Sequence, residues 1–405
     1  MGSIFRRRRP DGPDDRDGSP YHGDYSESVL KALTYGDVDD RWHAIRAVGE
    51  LGEAFIDPLI RALRDDYWII RREAGNTLVS FGAPAVMPLI SALDDSREDT
   101  RQEVMRALSA IGTPAVEPLL KEAGNSSPLI RQGVIEALGN LREALATDLI
   151  IRALRDDDRH VREEAARALG TIGDPVAIDP LIDLLSDPYG QVRNEAVKTI
   201  VSLGSPAIDP LIQALVSEQP EVPERASFAL VQIGQASVGP LIEGLEATTP
   251  AIRKGSASIL GHIRDQRAIP SLIRALNDPD RQVRREVVKA LAGMKGPATT
   301  PLMEAFKTGE PLARYGAMEA LWMIGAPSVP LLVESLRDES PDIRKRSALL
   351  LGEAGDASAV DALNMAMRDK NTAVRKAAFW ALEMIERRVD DIPMQEQPGD
   401  DAKVL

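Results

Sequence analysis

The chain contains no cysteine, which excludes disulfides, thiolate metal ligands and a cysteine nucleophile. Aromatic residues make up only 4% of its 405 positions, few for an enzyme with a large globular core, so small and aliphatic side chains must do the packing. No apolar run approaches the ~18 residues of a transmembrane helix, and the N-terminus lacks the apolar centre of a signal peptide. Basic residues are outnumbered: 49 Lys and Arg stand against 63 Asp and Glu, a formal net charge of −14. That balance argues against nucleic acid as a partner of the whole chain. P-loop, dinucleotide turn, Gly-x-Ser-x-Gly elbow and clustered metal ligands are all missing. The expectation is a soluble, cytoplasmic, monomeric chain with no catalytic centre, no cofactor, no metal and no membrane contact.

What is present is repetition. Val161-Arg162-Glu163-Glu164-Ala165-Ala166-Arg167-Ala168-Leu169-Gly170-Thr171-Ile172-Gly173 recurs about every 30 residues, and such a period marks an array of small similar units. Each unit has two helical halves. The first carries an apolar motif such as Pro58-Leu59-Ile60 or Pro210-Leu211-Ile212, with further copies read at Leu149, Leu272, Leu302, Leu331 and Leu363; Val29 fits the same register. The second starts near a Val/Ile-Arg pair. Val161, Ala165, Leu169 and Ile172 fall on one helical face. Four residues before the Arg stands a candidate N-cap: Asp37, Ser127, Asp158, Thr249, Asp280, Ser340 and Asn371. Pro128, Pro250, Pro311 and Pro341 suit a first helical position. Gly82, Gly112, Gly173, Gly204, Gly234 and Gly325 suit a left-handed residue past the helix end.

The Arg recurs as Arg41, Arg71, Arg101, Arg131, Arg162, Arg193, Arg253, Arg284, Arg314, Arg344 and Arg375. Six residues before it stands Asp65, Asp95, Asp156, Asp187, Asp278, Asp338 or Asp369 in seven units. A charge at the start of an apolar seam must be paired. The expectation is an Asp–Arg ladder tying each inter-helix turn to its own and to neighbouring units; an anion-binding row is the alternative.

With these motifs in view, Pro-Leu-Ile…Leu-x-Asp…Val-Arg-x-x-Ala-x-x-Ala-Leu-Gly-x-Ile-Gly resembles the HEAT repeat, closest to the subtype also found in phycobilisome bilin lyases. The resemblance covers roughly residues 27–388 and implies an all-α, right-handed α-solenoid of about twelve helical hairpins. It also implies a scaffold that binds another protein or peptide on its concave face. Deoxyhypusine hydroxylase, a HEAT-repeat enzyme with a di-iron site of His-Glu pairs, does not carry over. His22, His43, His160 and His262 are each followed by another residue type. A bilin-lyase-like or other modifying-enzyme subunit is the alternative function.

Several positions depart from the repeat. Pro223 replaces the Arg of unit seven and Ala247 the Asp of unit eight, so both are expected to lose their ladder; the break reads either as a hinge or change of curvature near residues 215–255 or as ordinary drift, with Pro223 tolerated in the first helical turn. All four tryptophans, Trp42, Trp68, Trp322 and Trp380, lie towards the ends. Trp42 and Trp380 read as end caps of the array. Tyr315, Met318, Trp322 and Met323 crowd one helix, with Trp380 and Met384 two units on, and this group is the candidate partner-binding patch. On the second helices, the column two after the Arg (His43, Glu73, Glu103, Glu164, Glu195) and the column five after it (Arg46, Arg106, Glu136, Arg167, Lys198) read as exposed stripes. They are either paired within each helix or form a charged groove. Residues 1–26, with Arg6 to Arg9, and the acidic stretch 389–405 read as disordered tails.

Overall fold

The computed structural model describes residues 21–49 and 51–390. The Arg6–Arg9 cluster and the stretch 391–405 lie outside the described residues. Two compact bodies divide the chain, one up to Leu203 and one from Gly204.

In the N-terminal body the first helices of the pairs are α1 (Tyr21–Tyr35), α3 (Ile56–Ala62), α5 (Ala83–Ala92), α7 (Thr113–Glu122), α9 (Thr147–Ala153) and α11 (Ile178–Asp183). Their partners are α2 (Val38–Val48), α4 (Trp68–Phe81), α6 (Glu98–Ile111), α8 (Pro128–Asn140), α10 (Arg159–Ile172) and α12 (Gly190–Leu203). In the C-terminal body the first helices are α13 (Ile208–Ala214), α15 (Val238–Gly244), α17 (Ile269–Ala275), α19 (Gly296–Thr308), α21 (Val329–Ser335) and α23 (Val360–Ala366). The second helices are α14 (Glu221–Ile233), α16 (Pro250–Ile263), α18 (Arg281–Met294), α20 (Pro311–Ile324), α22 (Pro341–Ala354) and α24 (Thr372–Asp390). No strand occurs among the described residues, and each body is an all-α solenoid. The helices begin at Tyr21, ahead of the expected boundary at 27, and end at Asp390, just past 388.

The helix ends follow from their residues, with one correction. The carboxylates of Asp37, Asp158 and Asp280 accept N–H groups of the first turn, and Asn371 does the same through its amide oxygen. Ser127, Thr249 and Ser340, each followed by Pro, make no such bond; the Ser127 hydroxyl is instead 2.5 Å from Asp94 of the preceding turn. All six expected end glycines have positive φ. Only Gly173 is in the αL region. Gly82, Gly112, Gly204, Gly234 and Gly325 have ψ near −130°, a region all but reserved for glycine.

The core is one apolar row per layer. Leu59, Leu89, Leu119, Leu181, Leu211, Leu241, Leu272, Leu302 and Leu363 are fully buried. In two repeats the register is one residue later than the sequence suggested, Ile150 and Leu332 taking the place of Leu149 and Leu331. Within each body, consecutive second helices pack more closely than consecutive first helices. Residue size explains this. A Cβ on Gly139 would lie 2.7 Å from the Ala168 Cβ, and one on Gly261 would lie 2.7 Å from the Ala290 Cα. In a curved stack of helices the more tightly spaced layer is the one that lies on the inner side.

Candidate partner-binding surface

The second helices are set in place by the arginines. The Nη1 of Arg162 donates to the Asp156 carbonyl of its own turn at 2.7 Å, while Nε and Nη2 grip the Asp187 carboxylate of the next repeat at 2.6 and 3.2 Å. Arg131 holds Asp156 in the same two-pronged way (2.8 and 2.7 Å), Arg253 holds Asp278 (2.6 and 3.0 Å), and Arg344 holds Asp369 (2.7 and 3.0 Å). Arg41 meets Asp65 at 2.8 Å. Each of these Asp residues also accepts the N–H two residues on, fixing its turn. The Arg344 hydrogen bond holds the Asp369 carboxyl below its ordinary range. Burial pushes Asp156 upward, but the bonds from Arg131 and the Asp158 N–H outweigh it.

The ladder therefore differs from its sequence form. The Asp six residues earlier contributes its main-chain carbonyl, and the carboxylate serves the preceding repeat. That is why Arg253 keeps its full rung although Ala247 stands in the Asp register: the Ala247 carbonyl, 2.9 Å away, is sufficient. The expected loss in repeat eight does not occur.

Other rungs are altered. Arg71 holds the Asp65 carbonyl but turns to Asp99 at 3.2 Å, and Arg64 takes Asp95. Arg101 bonds the Asp95 carbonyl and Glu98, with Asn125 in the next Asp register. Arg193 and Arg375 bond the Asp187 and Asp369 carbonyls. Arg314 reaches Asp342 at 3.7 Å, while Lys307 lies 3.8 Å from Asp338. Arg284 holds the Asp278 and Pro279 carbonyls at 2.7 and 3.0 Å, and Thr308 replaces the next Asp.

His43 is exposed, but the glutamates of the column two after the Arg do not form an exposed stripe. Glu73, Glu103 and Glu195 are half-buried and Glu164 is only 3% exposed. These carboxylates lie between neighbouring second helices and are shared by cations of the outer column. Arg167 meets Glu164 and Glu163 in its own helix and Glu195 of α12 at 3.4 Å. Lys198 is 3.3 Å from Glu195. Burial pushes the Glu164 carboxyl up to about 7, helped by Glu136 and Glu195 and opposed by Arg167.

The aromatic and methionine group divides in two. On α20, Tyr315 (59% exposed), Trp322 (48%) and Met323 (46%) are open, as is Leu312. Met318 is half-buried, its sulfur 3.5 Å from Arg346 Nη1. Arg346 also lies 5.3 Å from the Tyr315 ring centroid and 2.8 Å from Asp342, so it braces this end of the strip. Trp380 is on α24, with α22 between it and α20. Its ring rests on Gly352, where a Cβ would come within 2.8 Å of it. Met384 is half-buried. Sequence reasoning missed the exposed Phe379, Phe228 and the Tyr67-Trp68-Ile69 run. Phe228 stands five after the Arg register, in the column otherwise held by Arg46, Arg167 and Lys198, which is the signal that could have found it. Trp42 is half-buried and has Arg46 4.8 Å over its ring.

Family comparison agrees with this geometry. The model of HEAT repeats matches residues 26–109, 56–127, 116–201, 208–292, 238–322, 271–350 and 329–394. The chain belongs to the HEAT-repeat family. It is 26% identical over 151 residues to an uncharacterized phycocyanin operon protein Z of Pseudanabaena tenuis, a match over 33% of this chain and 72% of that protein. This agrees with the bilin-lyase-like subtype of the repeat. Among solved structures, an engineered protein is 22% identical, covering 89% of this chain and 98% of that one, with a TM-score of 0.23. Human deoxyhypusine hydroxylase in complex with glycerol is 22% identical over 77% of this chain and 99% of its own, with a TM-score of 0.26. The karyopherin Kap121p, bound to the extreme C-terminus of the phosphatase Cdc14p, is 14% identical over 92% of this chain and has a TM-score of 0.42; the chain spans 50% of its length. Among the described residues no helix alone is long and apolar enough to cross a membrane, and no group of three His, Asp or Glu is arranged to hold a metal ion.

Proposed function

We propose that the chain is a non-catalytic scaffold that binds another protein, or a peptide segment of one, on the inner row of second helices of its C-terminal body. The observation that carries this reading is the strip on α20, where Tyr315, Trp322 and Met323 stand open on a helix whose other face is fully packed. Burying each on a partner is worth roughly 1.5–3 kcal/mol, and aromatic anchors of this kind dominate interface energetics. Arg346 holds Tyr315 in place from α22, so little side-chain freedom is left to lose. Trp380, Met384 and Met318 contribute as the wall of the same surface. The protein acts in the cytoplasm as a monomer in this reading, without nucleic acid or membrane.

The test compares the intact chain with a Tyr315→Ala/Trp322→Ala/Met323→Ala variant as bait in a lysate of the source cells. Helical circular dichroism confirms that the variant is folded. A specific protein retained by the first and lost from the second supports the strip as the docking site. Equal capture by both refutes it. A second reading, a bilin-lyase-like or other modifying-enzyme subunit, is favoured by the likeness to the phycocyanin operon protein; it requires that added bilin change its absorbance on mixing with the chain.

A further inference from the structure

One position on the last five second helices of the C-terminal body, α16 to α24, forms a row of its own; α14, where Pro223 replaces the ladder Arg, carries Glu224 there. The residue directly after the ladder Arg is Lys254 on α16, Arg285 on α18, Tyr315 on α20, Lys345 on α22 and Lys376 on α24, and all five are exposed. The ladder Arg beside each is turned into the turn, so the next residue points outward. Among the described residues no carboxylate pairs with the side chains of Lys254, Arg285, Lys345 or Lys376. This contrasts with Arg167, Lys198 and Lys289, which are matched to glutamates. In a chain of net charge −14, an unpaired basic row of this kind is against the trend.

A further cation adjoins it. Arg284 holds its own turn as the two-pronged arginines do, but Thr308 stands where the next Asp belongs, and the Thr308 hydroxyl is turned back onto the Glu304 carbonyl at 2.9 Å. Among the described residues nothing meets the Arg284 Nε and Nη2, the edge that in Arg253 and Arg344 grips a carboxylate.

Resting on the proposed scaffold reading, we infer that this row binds an extended acidic segment of the partner protein. Its carboxylates would meet Lys254, Arg285, Lys345 and Lys376, and an apolar side chain would lie over Tyr315. The Arg284 edge offers a further carboxylate site beside Arg285. Packed helices are ~8–10 Å apart, and a chain in the polyproline-II form advances ~3.1 Å per residue with three residues per turn, so that every third side chain points the same way. One partner residue in about three therefore faces each helix. Glu319 lies on the same face of α20, four residues past Tyr315, which disfavours acid there and favours an aromatic or aliphatic residue. Nucleic acid fits less well, because a continuous phosphate chain would run over Glu319.

The inference is tested with a fluorescent peptide of about 13 residues, Glu at its first, fourth, tenth and thirteenth positions and Phe at its seventh, against the same peptide with Gln for Glu. Anisotropy should show the Glu form binding about ten-fold more tightly at low salt, as several exposed ion pairs would give. A Lys254→Gln/Arg285→Gln/Lys345→Gln/Lys376→Gln variant with unchanged circular dichroism should lose that preference. Equal affinity for the two peptides, or binding of neither, overturns the inference. So does an undiminished preference in the neutralised variant, or tighter binding of single-stranded DNA of equal charge. If the preference is lost in the neutralised variant yet the Tyr315→Ala/Trp322→Ala/Met323→Ala variant binds as the intact chain does, the four basic positions stand while the apolar contact over Tyr315 and the α20 strip fall.

Discussion

Glu164 offers a perturbation whose sign depends on pH. Its carboxyl is 3% exposed on α10 and faces Glu136 from α8, Glu195 from α12, and Glu163 and Arg167 from its own helix. Burial is the main cause of its raised pKa, about 7 against 4.5 for the free group. A folded-state pKa above the unfolded one means that the folded chain holds its proton more firmly. Stability from this site is therefore fully present below pH 4.5 and is lost as the pH rises to about 7. With those two values the loss is about 2 kcal/mol at pH 6 and about 3 kcal/mol at pH 8. Glu136, which burial also raises, titrates alongside it, so the curve belongs to the pair and is broader than that of one site. Glu164→Gln fixes a neutral group of the same shape and leaves Glu163 and Glu195 to Arg167. Hydrogen exchange of the α10 amides, at rates corrected for pH, should show the variant protected like the intact chain at pH 5 and clearly more so at pH 8. A solenoid opens by neighbouring repeats, so the effect should be confined to α8, α10 and α12. A difference that is the same at both pH values, or a variant less protected at pH 8, would refute the assignment of the raised pKa to burial.

Lys295 has φ 53° and ψ −129°, the conformation that Gly82, Gly112 and Gly325 adopt at the same point of their repeats; Lys295→Gly should remove backbone strain and stabilise by about 1 kcal/mol, seen as a higher unfolding temperature. Gly261→Ala should cost roughly 1–3 kcal/mol, because the new methyl meets the Ala290 Cα at 2.7 Å, whereas Gly296→Ala, with nothing within 4 Å, should be neutral or stabilising in the same urea titration. Arg162→Met strips both prongs from the buried Asp187 and should cost about 3–5 kcal/mol; Arg284→Met, which loses only two carbonyl contacts, should cost distinctly less, and equal losses would deny the ladder its carboxylate half.

How much of this was legible in the sequence depends on whether a feature lies within a repeat or between repeats. Helix ends were legible because glycine at positive φ and Asp at an N-cap act over a few residues: Gly173 and Asp158 are where their types place them. The Arg–Asp pairing was half legible. Types and spacing gave the ladder, but the Asp that an Arg grips with its side chain is about 25 residues downstream rather than six upstream, as Arg162 and Asp187 show. Spacing alone cannot distinguish a carboxylate from a carbonyl as acceptor. This is why Ala247 looked like a break and is not one.

The columns failed for a related reason. Whether a residue two after the Arg is exposed depends on how near the next second helix comes, and that is set by glycine and alanine of two different repeats, such as Gly139 against Ala168. The close approach buries Glu164 and leaves the neighbouring column outside. The same geometry decides which cations are paired. A Lys five after the Arg, such as Lys198 or Lys289, meets the glutamate one turn before it. A Lys one after the Arg, such as Lys345, has Asp342 three residues before it, but Arg346 takes that carboxylate at 2.8 Å. At Lys345 the free cation is thus a product of competition between neighbours, whereas Lys254, Arg285 and Lys376 have no Asp or Glu three or four residues away, so their part of the row was legible in the sequence once the register of the Arg was known.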